Sequence, residues 1–403
     1  MAITCLVTIH GIGFQRAPQP PDDPIGYADP LHDHLSEYLT PRVLSDDPNR
    51  SRSKPGEYGA IYVQSHFPSI EAGLKRLGAW NADRSAVVSD ASSALVAEGE
   101  TISHVALVYS HPENQAFQHV GSALEAAINA AASQARYGSM FGVGGMLVSD
   151  VLAPLNRPTT ADCVEPPGQS LRPRTSPLPN SLPPDHRFFG LRLPWPTPVA
   201  ASSGGNDGGV IRALEEDVTT YVFRNDLREG VRDFIREALL RLARRDDVGN
   251  IVVNAHSQGT VAAFDAIRDL PPHDAAKIRH FVTSGSPLRK YVDLFYWGDD
   301  VRNVGAVSAW TNFFDRYDPV ADALSMKDWR PGWSLADAPA QTDTLFRYQA
   351  PDATDPTAYQ LTDVEVDNLG HSCGAVRAHN YWDNRAQWVP AIGKILQGLV
   401  NGQ

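Results

Sequence analysis

Cysteine is scarce in this chain: Cys5, Cys163 and Cys373 are the only three in 403 residues. Three thiols build no disulfide framework, and all three read as ordinary buried or surface thiols. Positive charge is also short. Lys and Arg number 35 against 47 Asp and Glu, a formal net charge of −12. Such a balance argues against a nucleic-acid binder, which needs a basic face for phosphates. It argues equally against electrostatic docking on anionic lipid. No apolar run approaches the roughly 18 residues of a membrane span. The opening "MAITCLVTIHGIG" lacks a basic segment, a long apolar stretch and a small-residue cleavage site. A cytosolic protein without stable membrane insertion is therefore the default expectation.

What is present is a patterned core. Ile3 to Ile9 reads as a buried strand: short, β-branched and ended by glycines. "YADPLHDHLSEYL" follows as a helix with Leu31, Leu35 and Leu39 on one face. "AIYVQS" and the stronger "HVALVYS" read as further strands. An Ala-rich helical stretch (114–137) and a Gly-rich one come next. Residues 154–209 hold about a dozen prolines plus "SSGGNDGG", which no regular helix or central strand accommodates. We read residues 112–209 as an insertion within a single domain spanning 1–403, because core elements resume after it. Leu227, Val231, Phe234, Ile235 and Leu242 recur at helical spacing. Strand "NIVVNA", helix "TVAAFDAI", strands "IRHFVTSG" and "AWTNFFD" and a final helix "WVPAIGKILQGLV" complete the chain. Alternating apolar strands and amphipathic helices predict an α/β class: a doubly wound, mostly parallel sheet covered on both faces.

The stretch "NIVVNAHSQGTVAAFDAI" carries the chemistry. A strand that runs into small-x-Ser-x-Gly and straight on into a helix is a nucleophile elbow. The turn strains the serine and demands small neighbours, here Ala255 and Gly259. In return, Ser257 stands at a helix start, where developing negative charge is favoured. A serine hydroxyl is a weak nucleophile and needs a base, which in turn needs an orienting carboxylate. In doubly wound hydrolases the chain order is Ser, acid, His. Downstream, "NFFDRYDPV" offers Asp318 as the acid, stiffened by Pro319, with Asp315 as a rival that also suits a cap or turn. His379 in "VRAHNYWDN", flanked by aromatics, is preferred as base over His371 in "NLGHSCG".

An acyl-transfer site also needs two backbone N–H groups aimed at the developing oxyanion. Gln258 is expected to give one. The loop after the first strand, "TIHGIG", supplies the other through Ile12, with Gly11 as the alternative. His10 and His256 are expected to contact substrate. A nucleotide-binding reading of the same loop lacks its third glycine and its acidic residue on a following strand. "HDH" at 32–34 invites a metal, but i and i+2 point to different helix faces, so surface histidines are expected and neither metal nor cofactor is called for.

Together "HGIG", "AHSQG", "TSGSPL", "NFFDRYDPV" and "AHNYW" resemble the α/β-hydrolase superfamily, in particular its lipase and esterase branch. The resemblance covers roughly residues 1–20 and 210–403, with 104–111 as a core strand. Where this chain has Ala255, the usual pattern has glycine. The resemblance implies Ser257, Asp318 and His379 as the triad and Ile12 with Gln258 as the oxyanion hole. It implies hydrolysis of a small or lipid-like carboxylic ester through an acyl-enzyme. Residues 112–209 match no family pattern, and Phe141 to Val148 within them suit an acyl pocket or a lid as well as simple packing. Amidase, thioesterase or phospholipase action would use the same residues. A protein that keeps the fold as a binding module without chemistry is the alternative from a different class.

Overall fold

The structure is a computed structural model; it describes residues 2–11, 26–39, 43–50, 59–65, 70–109, 225–289, 304, 307–318, 320–324, 361–373 and 377–402. The Ala-rich helix, the Phe141 to Val148 stretch, the proline-rich segment, Ile12 and Pro319 lie outside the described residues.

Its centre is an eight-stranded sheet. The strands are β1 (Ile3–Ile9), β2 (Leu44–Ser45), β3 (Ile61–Gln64), β6 (Ile102–Val108), β7 (Val248–His256), β8 (Ile278–Ser284), β9 (Trp310–Phe314) and β10 (Leu361–Glu365). Their order is β10-β9-β8-β7-β1-β6-β2, with β3 also on β6. The pairings within this sheet are parallel. Two short strands, β4 (Ala79–Trp80) and β5 (Val87–Val88), form a separate antiparallel ribbon. The helices are α1 (Asp29–Tyr38), α2 (Ile70–Leu74), α3 (Asn225–Ala243), α4 (Gln258–Arg268), α5 (Pro272–Ala275), α6 (Asn368–His371) and α7 (Trp388–Asn401).

Alternation along β1 divides the core into two layers, since successive side chains point to opposite faces. Cys5, Val7 and Ile9 pack with Phe234, Leu239, Val261 and Phe264 of α3 and α4. Leu6 packs with Leu31 and Leu35 of α1 and with Trp388 and Ile392 of α7. Both faces are covered, so β1 and β6 are buried along their whole length. This is why they read as unbroken apolar runs and not as alternating strands. Helix α4 is buried from Gln258 to Ile267. Its small residues Ala262, Ala263 and Ala266 let it lie close to its neighbours.

Two elements escape the sequence pattern. β2 has only two residues, and β10, "LTDVE", sits at the sheet edge with Thr362 and Glu365 exposed. Neither shows an apolar run. Two expectations are corrected. Cys373 is disulfide-bonded, whereas Cys5 is free and buried. His32 is not a surface residue: it is fully buried, lies parallel to the His104 ring at 5.4 Å between centroids, and meets Asp46 at 3.2 Å. Among the described residues no helix is long and apolar enough to cross a membrane.

A parallel sheet gathers its strand C-termini along one edge. The chain places β6 on one side of β1 and β7 on the other, so the winding direction reverses there. Open α/β sheets hold their ligands in the crevice at such a reversal. Strands β1 and β7, paired in parallel up to Ile9 and Ala255, both end at this edge.

Candidate active site

Ser257 joins β7 to α4 with φ 55° and ψ −132°. Positive φ is unusual for a residue with a side chain and costs about 1–3 kcal/mol. Only Arg84 shares it among the non-glycine described residues. Neighbouring backbone holds the turn in place. Ser257 N–H donates to the Ser284 carbonyl at 2.9 Å, and the Ser257 carbonyl accepts the Thr260 hydroxyl at 2.7 Å. Close approach explains two glycines. A Cβ on Gly259 would lie 2.2 Å from the His10 carbonyl oxygen, and one on Gly11 would lie 2.9 Å from Ser257 Oγ. The loop after β1 therefore touches both the serine and the helix that follows it.

Asp318 follows β9 and is fully buried. Its Oδ2 accepts His379 Nδ1–H at 2.7 Å and the Tyr381 hydroxyl at 3.0 Å, and its Oδ1 accepts Val320 N–H at 2.9 Å. Burial alone pushes this carboxyl upward. The charge of His379 and the donated hydrogen bonds outweigh it and hold Asp318 below the usual carboxylate range. An ionised carboxylate only accepts, so His379 donates to it from Nδ1.

His379 ends a 3-10 turn, Arg377–His379. Its carbonyl accepts His256 Nε2–H at 2.8 Å, and the two rings lie 4.5 Å apart. Burial, then the nearby His379 charge, lower the His256 pKa to about 3. His256 is therefore a neutral neighbour and not a competing base. On the other side, a Cβ at Gly285 would meet His379 Cε1 at 2.7 Å. Because Gly285 follows the Ser284 carbonyl that holds the Ser257 amide, serine and imidazole share the rim of β7 and β8. Among the described residues the Ser257 hydroxyl has no hydrogen-bond partner. Catalytic contacts of this kind often tighten only around substrate.

The loop after β1 is fastened from β6. His10 Nδ1–H donates to the Gly11 carbonyl at 2.8 Å, and His10 Nε2 accepts Tyr109 N–H at 3.3 Å. Tyr109 O–H closes the clamp on the His10 carbonyl at 2.9 Å, with its ring stacked on the imidazole at 4.3 Å. Burial lowers the His10 pKa to about 4. His10 and His256, expected to contact substrate, are both buried and bond to backbone groups of the site's own loops. Gln258 opens α4, where the first amides have no intrahelical acceptor.

Asp315, the rival acid, plays the turn-forming part. Its Oδ1 accepts Tyr317 N–H and its Oδ2 accepts the amides of Asn368 and Leu369 at the start of α6. His371, the rival base, lies in α6. Sequence reasoning singled out neither Tyr109 nor Tyr381 as a site residue. The aromatics after His379 were the one available signal, and they did not reveal a hydroxyl reaching Asp318.

Comparison with family models, with curated proteins and with solved structures returns no match.

Proposed function

We propose that this chain is a serine hydrolase of the α/β-hydrolase kind, cleaving carboxylic esters through an acyl-enzyme on Ser257. One observation carries the reading: a serine at positive φ between a parallel strand and a helix, on the same sheet rim as an imidazole whose Nδ1 is 2.7 Å from a buried carboxylate. His379 Nε2 takes the hydroxyl proton as Ser257 Oγ attacks the ester carbonyl. Asp318 orients the ring and steadies the imidazolium. The carbonyl oxygen, now an anion, is met by the Gln258 amide and by an amide of the loop after β1. Each such donor is worth about 3–4 kcal/mol of barrier. His379 then returns the proton to the departing alkoxide. A water deprotonated by the same ring releases the acid and restores Ser257.

A fluorophosphonate probe tests this directly. Labelling is expected at Ser257 in the wild type and absent in Ser257→Ala. An unlabelled but folded wild type would instead favour a binding module built on the same scaffold. Rates on p-nitrophenyl esters of increasing chain length then separate short-chain esterase from lipase, and turnover of amides without esters would move the reading to amidase.

A further inference from the structure

We infer that Tyr381 is a positioning residue: its hydroxyl is wired between the Asp315 backbone and Asp318 so as to set how strongly the acid holds the base. The inference rests on the triad reading above. Tyr381 is fully buried, and its ring packs with Leu6, Phe313 and Trp388 on the α1/α7 face of the sheet. The chain places it two residues after His379, so one short segment delivers both the base and this phenol.

The direction of its hydrogen bonds is fixed by chemistry. Asp315 N–H donates to the Tyr381 oxygen at 2.9 Å, and an amide cannot accept in return. The phenol proton therefore goes to Asp318 Oδ2 at 3.0 Å, the same oxygen that takes His379 Nδ1–H. Burial, then the charges of Asp318 and Asp315, raise the Tyr381 pKa well above that of an ordinary phenol, so the donor stays protonated throughout the working pH range.

Two donors on one oxygen share its negative charge. Proton transfer from Ser257 creates an imidazolium that this charge stabilises. Tyr381 disperses part of the charge, which lowers the base's appetite for a proton and fixes the carboxylate rotamer. Other groups near His379 among the described residues are His256 from β7, kept neutral by burial, Gly285 after β8, and Asp318 after β9; Asp315, which burial raises to about 6, acts on Asp318 and Tyr381. Of the groups around the ring, only Asp318 brings negative charge.

The test compares wild type, Tyr381→Phe, and protein carrying 3-fluorotyrosine or 3,5-difluorotyrosine at position 381 alone. Two quantities are read: the acid limb of the kcat/KM–pH profile on a p-nitrophenyl ester, and the 15N titration of the His379 ring. Losing the phenol leaves Asp318 more basic, so the limb should move to higher pH by about half to one unit, a roughly three- to tenfold loss of rate below it. The more acidic fluorophenols are stronger donors and should move the limb to lower pH. A Tyr381→Phe protein with reduced thermal stability and reduced fluorophosphonate-labelled fraction but an unmoved limb overturns the inference in favour of plain packing. Should that variant fail to fold, the fluorotyrosine series decides by itself, and an absent downward shift overturns it. The ring titration also keeps two failures apart. A shifted titration without ester turnover upholds the wiring and removes the hydrolase reading. Turnover with an unshifted titration does the opposite.

Discussion

His256 gives its Nε2 proton to the backbone carbonyl of His379 across 2.8 Å. The residue just before the serine thus grips the residue proposed as the base, and the two sit 123 positions apart in the chain. This contact ties the backbone of the His379 turn to the residue before Ser257. Replacing His256 with Phe keeps the ring and leaves a buried carbonyl without its donor. We expect a loss of about 1–3 kcal/mol in unfolding free energy, measured by urea denaturation. We also expect a fall in kcat on p-nitrophenyl esters larger than any change in KM. An unchanged kcat would show that the grip is irrelevant to catalysis.

The rival assignments separate cleanly by kinetics. His379→Ala and Asp318→Asn should each lower kcat by about three to four orders of magnitude. His371→Ala should not, since the imidazole bonded to Asp318 is that of His379. Asp315→Asn is expected to lose far less than Asp318→Asn, because Asp315 binds amides of Tyr317, Asn368 and Leu369 and does not touch His379 in the described contacts. Full activity in His379→Ala would remove it as the base.

Gly11 faces the nucleophile at a distance no side chain tolerates. An added methyl would lie 2.3 Å from Ser257 Cβ and 2.9 Å from its Oγ. Gly11→Ala should therefore abolish fluorophosphonate labelling at Ser257. Its folding cost should be in the range of about 1–3 kcal/mol that overpacking brings. Normal labelling in this variant would mean that the loop after β1 stands away from the serine.

Acid should weaken the fold above the range where most carboxylates titrate. His10 and His256 have pKa values lowered to about 4 and about 3, in both cases chiefly by burial. His280 is likewise lowered to about 4 by burial. Their unfolded values lie near 6.5. A histidine lowered on folding binds its proton more readily when unfolded, so its contribution is intact above pH ~6.5 and is lost as pH falls toward ~4. Asp315 works in reverse: burial raises it to about 6, which favours the folded state as pH drops through 6 to 4. With His104, which burial also lowers, four histidines outnumber the two raised carboxyls, Asp315 and Asp33. The urea midpoint should therefore fall between pH 6.5 and 4.5. A flat midpoint over that range would contradict the burial of these rings.

Much of this architecture was legible in the residues because it is encoded locally. An apolar run such as Ile3–Ile9 reads as a strand buried on both faces, and it is buried along its whole length. The spacing of Phe234, Ile235 and Leu242 can only be a covered helix, and these three side chains are buried. The turn at Ser257 declared itself through its small neighbours, since a strained corner tolerates nothing larger. Local pattern also preferred Asp318 to Asp315 as the acid and His379 to His371 as the base, without showing that the two side chains meet. Asp315 and Asp318 are three positions apart on one loop. Which of them meets an imidazole depends on a segment 61 residues away, and no propensity within the loop encodes that approach. The same limit hid the Tyr109 clamp on His10 and the Tyr381 proton on Asp318. Hydrogen bonds between distant strands exist only once packing has fixed the donors and acceptors within about 3 Å of each other. The sequence by itself determined which groups were on offer and which turn would present the serine; the tertiary structure decided which carboxylate and which imidazole meet, because that depends on distances that only the folded sheet defines.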